Sequence, residues 1–537
     1  MENKNTVIAL VLMLVVWLGF SFLFPASQPT PAPSPVVGSE TVAAPSSSSI
    51  ASVTSVPDAQ TLADLVPSQV QAERQILVEN QRFKALFTSS GGRLKSLELK
   101  EYRVAPAEDS APVVILPAGP LRQAALRTSG NDGFVIAEDA YFQVAENTGD
   151  ELFLSGEEKK SLTLTHTTAS GLQIQKIYSF QGDSYGFELQ VVIVNLGNSV
   201  LSGTSGLTLV SPWDENNTGS TMEHVGPTSY VGEKRKQESA EDLVKDPVSY
   251  GKDLLWSAFE TKYFIAIVAP LQGAAESTQL TKTGSLVENL FQTPYTTLQP
   301  GQSSSFNYRI YYGPKDGAIL EKAHPDFGKA IDFGYFSLLA VPLLQALKFI
   351  NNYVGNYGLA IILVTIVIKI LFWPLTQKSF SSMKAMAKLQ PEITKVRERC
   401  KNDREKLNRE IMELYKKHRV NPMGGCLPML VQIPVFFALY KVLMDTIDLR
   451  HADFFLWITD LSAKDPYYIT PVIMGATMFI QQKMSPTTMD PVQAKVFMLM
   501  PVIFTFLFLN FPSGLVLYWL VNNLLTILQQ YFINKKA

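Results

Sequence analysis

The sequence predicts a multi-domain membrane protein: a polytopic α-helical core of five spans, an additional N-terminal anchor helix, and an all-β domain on the outer side of the membrane. Three observations carry this. None of the 39 residues from Val496 to Asn534 is charged, and at ~1.5 Å per residue that tract makes roughly 58 Å of helix, close to two crossings of a ~30 Å hydrocarbon core. From about Gln75 to Tyr312, short runs alternate apolar and polar side chains between Gly, Asn and Asp turns, which is the period of half-buried strands. Lys378 to Arg419 contains 13 Lys/Arg against 6 Asp/Glu, the excess expected of a loop retained in the cytoplasm. The averages of the 537 residues hide this pattern. With 46% hydrophobic and 18% charged residues, and 46 Lys+Arg balancing 48 Asp+Glu, they exclude only a disordered chain or a broadly nucleic-acid-coating one.

Taken in order, Thr6–Phe24 is an uncharged run of 19 residues after Lys4, long enough to span and longer than a usual signal-peptide core. It reads as an uncleaved anchor (residues 1–24), the alternative being a cleaved signal with Ala26 and Ser27 at the site. Pro25 to Pro57 has seven prolines and no basic residue, a composition that cannot bury a core, so 25–60 reads as a tether. Runs such as Lys95-Ser-Leu-Glu-Leu99 and Phe187-Glu-Leu-Gln-Val-Val-Ile-Val194 then mark an antiparallel β domain of sandwich size over 61–325. Its acids are expected on strand surfaces and loops, where water solvates them. No cysteine occurs before Cys400, so this domain folds without a disulfide.

Phe327–Ile350 is apolar but broken by Asp332, Gly334, Pro342 and Lys348, so 326–352 is expected to form an amphipathic helix lying in the membrane interface. The five core spans, within 353–537, are Tyr357–Leu375, Gly424–Met444, Tyr467–Gln482, Val496–Phe511 and Ser513–Phe532. The segment Asp445–Asp465 has Arg450 and Lys464 against five Asp and is expected outside. Both termini are then cytoplasmic and the β domain periplasmic, in a bacterial inner membrane. Between the first two spans (377–420), apolar spacing of 4, 3, 4 at Leu389, Ile393, Val396 and Cys400, repeated at Leu407, Ile411, Leu414 and His418, predicts a hairpin of two amphipathic helices turning at Lys401-Asn-Asp403. Its basic excess is either a topology signal or a docking surface for an acidic or RNA-bearing partner.

No HExxH pair, Walker loop, GxSxG elbow or GxGxxG fingerprint occurs, and the five histidines are scattered, so neither enzyme chemistry nor a cofactor or metal is expected. The residue to explain is Lys369, inside an otherwise apolar span, where a charge facing lipid costs about 2.5–3.5 kcal/mol on insertion scales. It either snorkels to the interface or faces a polar cavity. Thr365, Gln432, Gln481, Asn522 and Asn523 also lie within spans; each alone could join helices, and together they could line a hydrophilic groove. A secondary transporter using Lys369 is the rival reading, but it calls for inverted repeats and none is visible. A sugar-binding or sugar-processing role for the β sandwich would need clustered aromatics and a carboxylate pair.

Val420-Asn-Pro-Met-Gly-Gly-Cys-Leu-Pro-Met-Leu-Val-Gln-Ile-Pro434, Trp457-Ile-Thr-Asp-Leu-Ser462, Gln482-Lys-Met-Ser-Pro486 and Phe511-Pro-Ser-Gly-Leu-Val-Leu-Tyr518 resemble the YidC-type membrane protein insertases. Trp256-Ser-Ala-Phe-Glu-Thr-Lys-Tyr-Phe264 resembles the periplasmic domain of their Gram-negative members. The resemblance implies a five-helix insertase core with a groove open to cytoplasm and lipid, a periplasmic β-supersandwich, and no catalysis. It implies that Lys369 occupies the place of a groove cation, more often arginine in the family, so a point charge is kept and a bidentate contact is not. It places a substrate slide at Ile433, Pro434 and Leu507, and a polar pair bracing the core at Thr365 and Trp519. The implied partners are nascent inner-membrane proteins, membrane lipid and, through the cytoplasmic hairpin, the Sec translocon, ribosome and targeting receptor, with no specific nucleic-acid binding.

Overall fold

The computed structural model describes residues 72–146, 148–215, 223–400, 403–418, 420, 427–485 and 491–536. The anchor expected at Thr6–Phe24 and the tether at Pro25–Pro57 lie outside the described residues. Alternating burial builds the β domain, as in Leu172–Gln181, where every second side chain through Tyr178 is buried. That strand pairs antiparallel with Gly186–Asn195, which pairs in turn with Ser303–Pro314. They form the centre of a nine-stranded sheet. A five-stranded sheet containing Phe83–Thr88 and Arg93–Arg103 contributes Phe83 and Phe87 to the same core. Phe87 meets Tyr178 at 4.8 Å and Phe180 at 5.6 Å between ring centroids, so aromatic packing joins the two sheets. A second five-stranded sheet is centred on Leu286–Gln292.

Two expectations about this domain are corrected. It is not wholly antiparallel, because Gln75–Glu79 pairs parallel with Glu151–Phe153; the long intervening chain supplies the crossover that parallel pairing needs. Nor are all its acids on the surface: Glu260 is 0% exposed. It shares a strand face with Trp256 and Ala258, both buried, and its inward position is tolerated because cations converge on it.

Helix α1 (Gly317–Ala323) follows, capped by Asp316, whose side chain accepts from Ala318 N and Ile319 N. The expected interfacial helix is shorter than its segment. Tight 3₁₀ turns occupy Pro325–Ala330 and Gly334–Phe336, and helix α2 runs over Ser337–Val354. Pro325 and the left-handed Gly334 (φ 62°) break the earlier part. Gly355 (φ 64°) ends α2, and Asn356 caps α3 (Tyr357–Lys388), accepting from Leu359 N. Beyond the hairpin helices α4 (Gln390–Arg399) and α5 (Arg404–Lys417) come α6 (Leu427–Asp445), α7 (Ile469–Met484), α8 (Pro491–Phe508) and α9 (Ser513–Lys536). Each expected apolar segment of the core thus carries one helix. The α8–α9 turn is pinned to the α6–α7 connection by Ser513 N to Ala463 O at 2.7 Å and Gly514 N to Leu461 O at 2.9 Å.

Candidate functional site: a polar seam among apolar helices

The outer faces of the helical core are apolar: Val367, Ile370 and Leu371 on α3 and Val502, Ile503 and Phe506 on α8 are exposed. Such faces belong in hydrocarbon. Polar side chains instead gather between α3, α6, α7 and α9. Lys369 points from α3 to α9, its Nζ donating to Thr526 Oγ1 at 2.8 Å. Thr526 Oγ1 donates in turn to Asn522 O at 2.7 Å. Gln432 Nε2 on α6 donates to Tyr518 Oη at 2.9 Å, and Asn523 Nδ2, buried, reaches Thr477 Oγ1 on α7 at 3.4 Å. Below them Gln529 Nε2 donates to Trp373 O at 3.3 Å and Gln530 Nε2 to Ser485 Oγ at 3.3 Å. In lipid, an unmet amide costs several kcal/mol, so these bonds specify which faces of α9 meet α3 and α7.

The sequence-derived residues do not all converge. Lys369 and Asn522 are linked through Thr526, and Asn523 and Gln432 each reach a neighbouring helix. Thr365 is buried and donates to Ile361 O of its own helix at 2.6 Å, the back-bond by which a hydroxyl satisfies itself. Trp519 enters an aromatic group with Phe436 at 4.8 Å and Phe508 at 5.1 Å. Among the described residues no hydrogen bond joins Thr365 to Trp519. Gln481 is half-buried, and its backbone O accepts from Ser485 Oγ at 3.0 Å. Ile433 and Leu507 are 44% and 54% exposed on α6 and α8, and Pro434 is half-buried within α6.

Comparison with known proteins decides what such a core belongs to. The family model for the 60Kd inner membrane protein matches residues 349–537, and that for the YidC periplasmic domain matches 75–346. The membrane protein insertase YidC of Geotalea daltonii is 46% identical over 540 residues, covering 99% of both chains. The chain belongs to the YidC family of membrane protein insertases. The insertase of Syntrophus aciditrophicus is 44% identical, with 100% of each chain covered. A solved structure of an active YidC insertase with its first transmembrane domain resolved aligns over 86% of this chain and 93% of its own, at 18% identity and a TM-score of 0.37. Like its YidC relatives, this chain is a membrane protein insertase, acting on inner-membrane proteins and carrying a periplasmic domain and apolar helices.

In this YidC chain the expected cytoplasmic hairpin is α4 and α5. Leu389, Ile393, Val396 and Cys400 are buried, and the facing Leu407, Ile411 and Leu414 are half-buried. Asp403 caps α5 through Lys406 N, and Arg399 lies 3.6 Å from Glu410 across the hairpin. Sequence reasoning missed Thr526, Gln529 and Gln530. Their signal was present as spacing, since Asn522, Thr526 and Gln529, with Asn523 and Gln530 beside them, fall on one helical face of an uncharged tract.

Proposed function

We propose that the YidC-type insertase acts through a hydrophilic groove between α3, α6, α7 and α9, in which Lys369 attracts acidic parts of an incoming chain. Thr365, Gln432, Gln481, Trp519, Asn522 and Asn523 line it, and the exposed Ile433 and Leu507 with the half-buried Pro434 form the slide along which the apolar segment leaves for lipid. What supports this most is the Lys369 ammonium. It is held on a hydroxyl inside the helical core, and among the described residues no carboxylate lies within ion-pair distance of it. A cation in that position shortens the apolar path of a hydrophilic flank. Transfer of the substrate helix to lipid supplies the driving force, at roughly 25 cal/mol per Å² of apolar area, with the membrane potential able to add to it.

The protein is a multi-pass inner-membrane protein with cytoplasmic termini, divided into anchor (1–24), linker (25–60), periplasmic β domain (61–325), an interfacial segment (326–352) that is α-helical from Ser337, and insertase core (353–537). The basic hairpin of residues 377–420 serves as the contact for ribosome, targeting receptor and Sec translocon. The test is insertion into proteoliposomes of paired clients differing only in the charge of the translocated flank. Lys369→Arg should be tolerated, Lys369→Ala should lower insertion of the acidic client about ten-fold, and Lys369→Glu should lower it further. Equal losses for both clients would assign the lysine to helix packing, and no loss would assign it to snorkelling.

A further inference from the structure

Thr526 is the residue on which Lys369 rests, and its geometry is asymmetric. Its hydroxyl spends its one proton on Asn522 O, 2.7 Å away on its own helix, so toward Lys369 it presents only lone pairs. Its polarity is thereby fixed as acceptor. Its place is fixed as well. One turn further along α9, Gln529 Nε2 holds Trp373 O of α3 at 3.3 Å. On the other side Asn523 holds Thr477 of α7. Thr526 itself is 6% exposed, so water has little access to its hydroxyl.

A lysine stem has four methylenes and can carry its charge toward the end of its helix. The hydroxyl opposes this by giving the ammonium a charge-assisted partner at membrane depth. An ammonium has three N–H groups. One goes to Thr526 and, among the described residues, the other two have no partner. They are left for an incoming carboxylate.

We infer that Thr526 is a positioning residue that holds the Lys369 ammonium within the groove and so determines the preference for clients with acidic flanks. This rests on the groove reading above, and the experiment separates the two. Full-length Thr526→Val, Thr526→Ser and Lys369→Ala variants are reconstituted and given the paired acidic and neutral clients. In parallel, Lys369 is labelled with a water-soluble amine reagent and its modification quantified by mass spectrometry. Thr526→Val should lower insertion of the acidic client about five-fold, less than the loss in Lys369→Ala because the ammonium is displaced and not removed, with the neutral client changed less than about two-fold. It should also speed labelling of Lys369 several-fold as the ammonium swings toward the interface. Thr526→Ser, which keeps the acceptor, should restore both. In the Lys369→Ala background Thr526→Val should add nothing for the acidic client.

Unchanged labelling in Thr526→Val, or equal losses for both clients where Lys369→Ala loses mainly the acidic one, overturns the positioning role. If labelling rises as expected while Lys369→Ala itself discriminates no client, positioning stands and the groove reading falls. Should Thr526→Val fail to fold, Thr526→Ala carries the same comparison.

Discussion

Glu260 keeps its charge in the interior of the β domain because donors surround it. Oε1 accepts from Thr228 Oγ1 at 2.6 Å, from Gln237 Nε2 at 3.1 Å and from Arg235, and Lys315 Nζ lies 2.8 Å from Oε2. Burial alone would raise its pKa, but Lys315 and Arg235 outweigh burial and hold the carboxyl at about 2, against an ordinary 4.5. A depressed carboxyl stabilises the fold fully above its unfolded value, and that stability drains away as the pH falls from about 4.5 toward about 2. The amount is about 3 kcal/mol. Glu260→Gln should cost at least that at pH 7, since two cations lose their buried partner, and should flatten the acid dependence between those limits. Hydrogen exchange of Leu254–Glu260 in the full-length protein at pH 7 and pH 3 reads both effects; a variant as protected as the parent at pH 7 would remove the argument. At this scale the sequence reveals what is out of place and conceals what answers it. Lys369 is conspicuous because a charge interrupts an apolar run. Thr526 is not, because a hydroxyl in a span is ordinary and its pairing follows from how α9 packs on α3. Glu260 was misjudged for the same reason, its compensating cations lying far away in sequence, Arg235 on one strand and Lys315 just past the end of another.

Lys348 on α2 shows how elements are joined. Its Nζ lies 2.5 Å from Asp316 Oδ2 and 2.9 Å from Asp448 Oδ2. Asp316 is also the cap of α1, and Asp448 accepts from Tyr357 Oη of α3 at 3.1 Å. One ammonium thus ties α1, α2, α3 and the α6–α7 connection. The carboxylates are only 10% and 19% exposed, so solvent screens the pairs partly. Burial opposes the charge of Asp316, yet Lys348 and the helix amides of Ile319 and Ala318 hold its carboxyl below the usual range. Lys348→Met keeps the stem, removes the charge and leaves two carboxylates facing each other, at a cost of about 2 kcal/mol. Protease resistance of the full-length protein around 317–354 should fall, and adding Asp448→Asn should restore part of it. No loss in the single variant, or no recovery in the double, would deny Lys348 this role. The existence of the core helices was legible because apolar length alone specifies a membrane helix. Their ends were less so: α3 continues past Leu375 to Lys388 because nothing in that basic stretch stops a helix even where hydrocarbon no longer demands one. The segment before α2 fails to be helical because Pro325 and Gly334 act locally against a pattern that looks continuous.

Across the whole molecule, α3 sets the distances. Its 32 residues make ~48 Å of helix, long enough to cross a ~30 Å hydrocarbon core with turns to spare. At the first end Asn356 Nδ2 donates to Phe454 O at 3.2 Å, in the α6–α7 connection. That connection also holds the β domain: Arg450 Nη2 donates to Arg103 O at 2.5 Å, and its guanidinium lies 5.4 Å from the Phe264 ring centroid. At the other end α3 leads into the basic hairpin. The β domain thus touches the α6–α7 connection, while α4 and α5 follow the far end of α3, the arrangement that the proposed orientation calls for. In a background with Cys400 and Cys426 replaced, Ser239→Cys in the β domain should react with an impermeant thiol reagent added to intact spheroplasts. Lys417→Cys on α5 should react only after lysis. Both positions are exposed, so burial would not mask either outcome. Reaction of Lys417→Cys from outside, with Ser239→Cys protected, would invert the orientation and place the Lys369 groove open to the wrong compartment for a chain arriving from the ribosome.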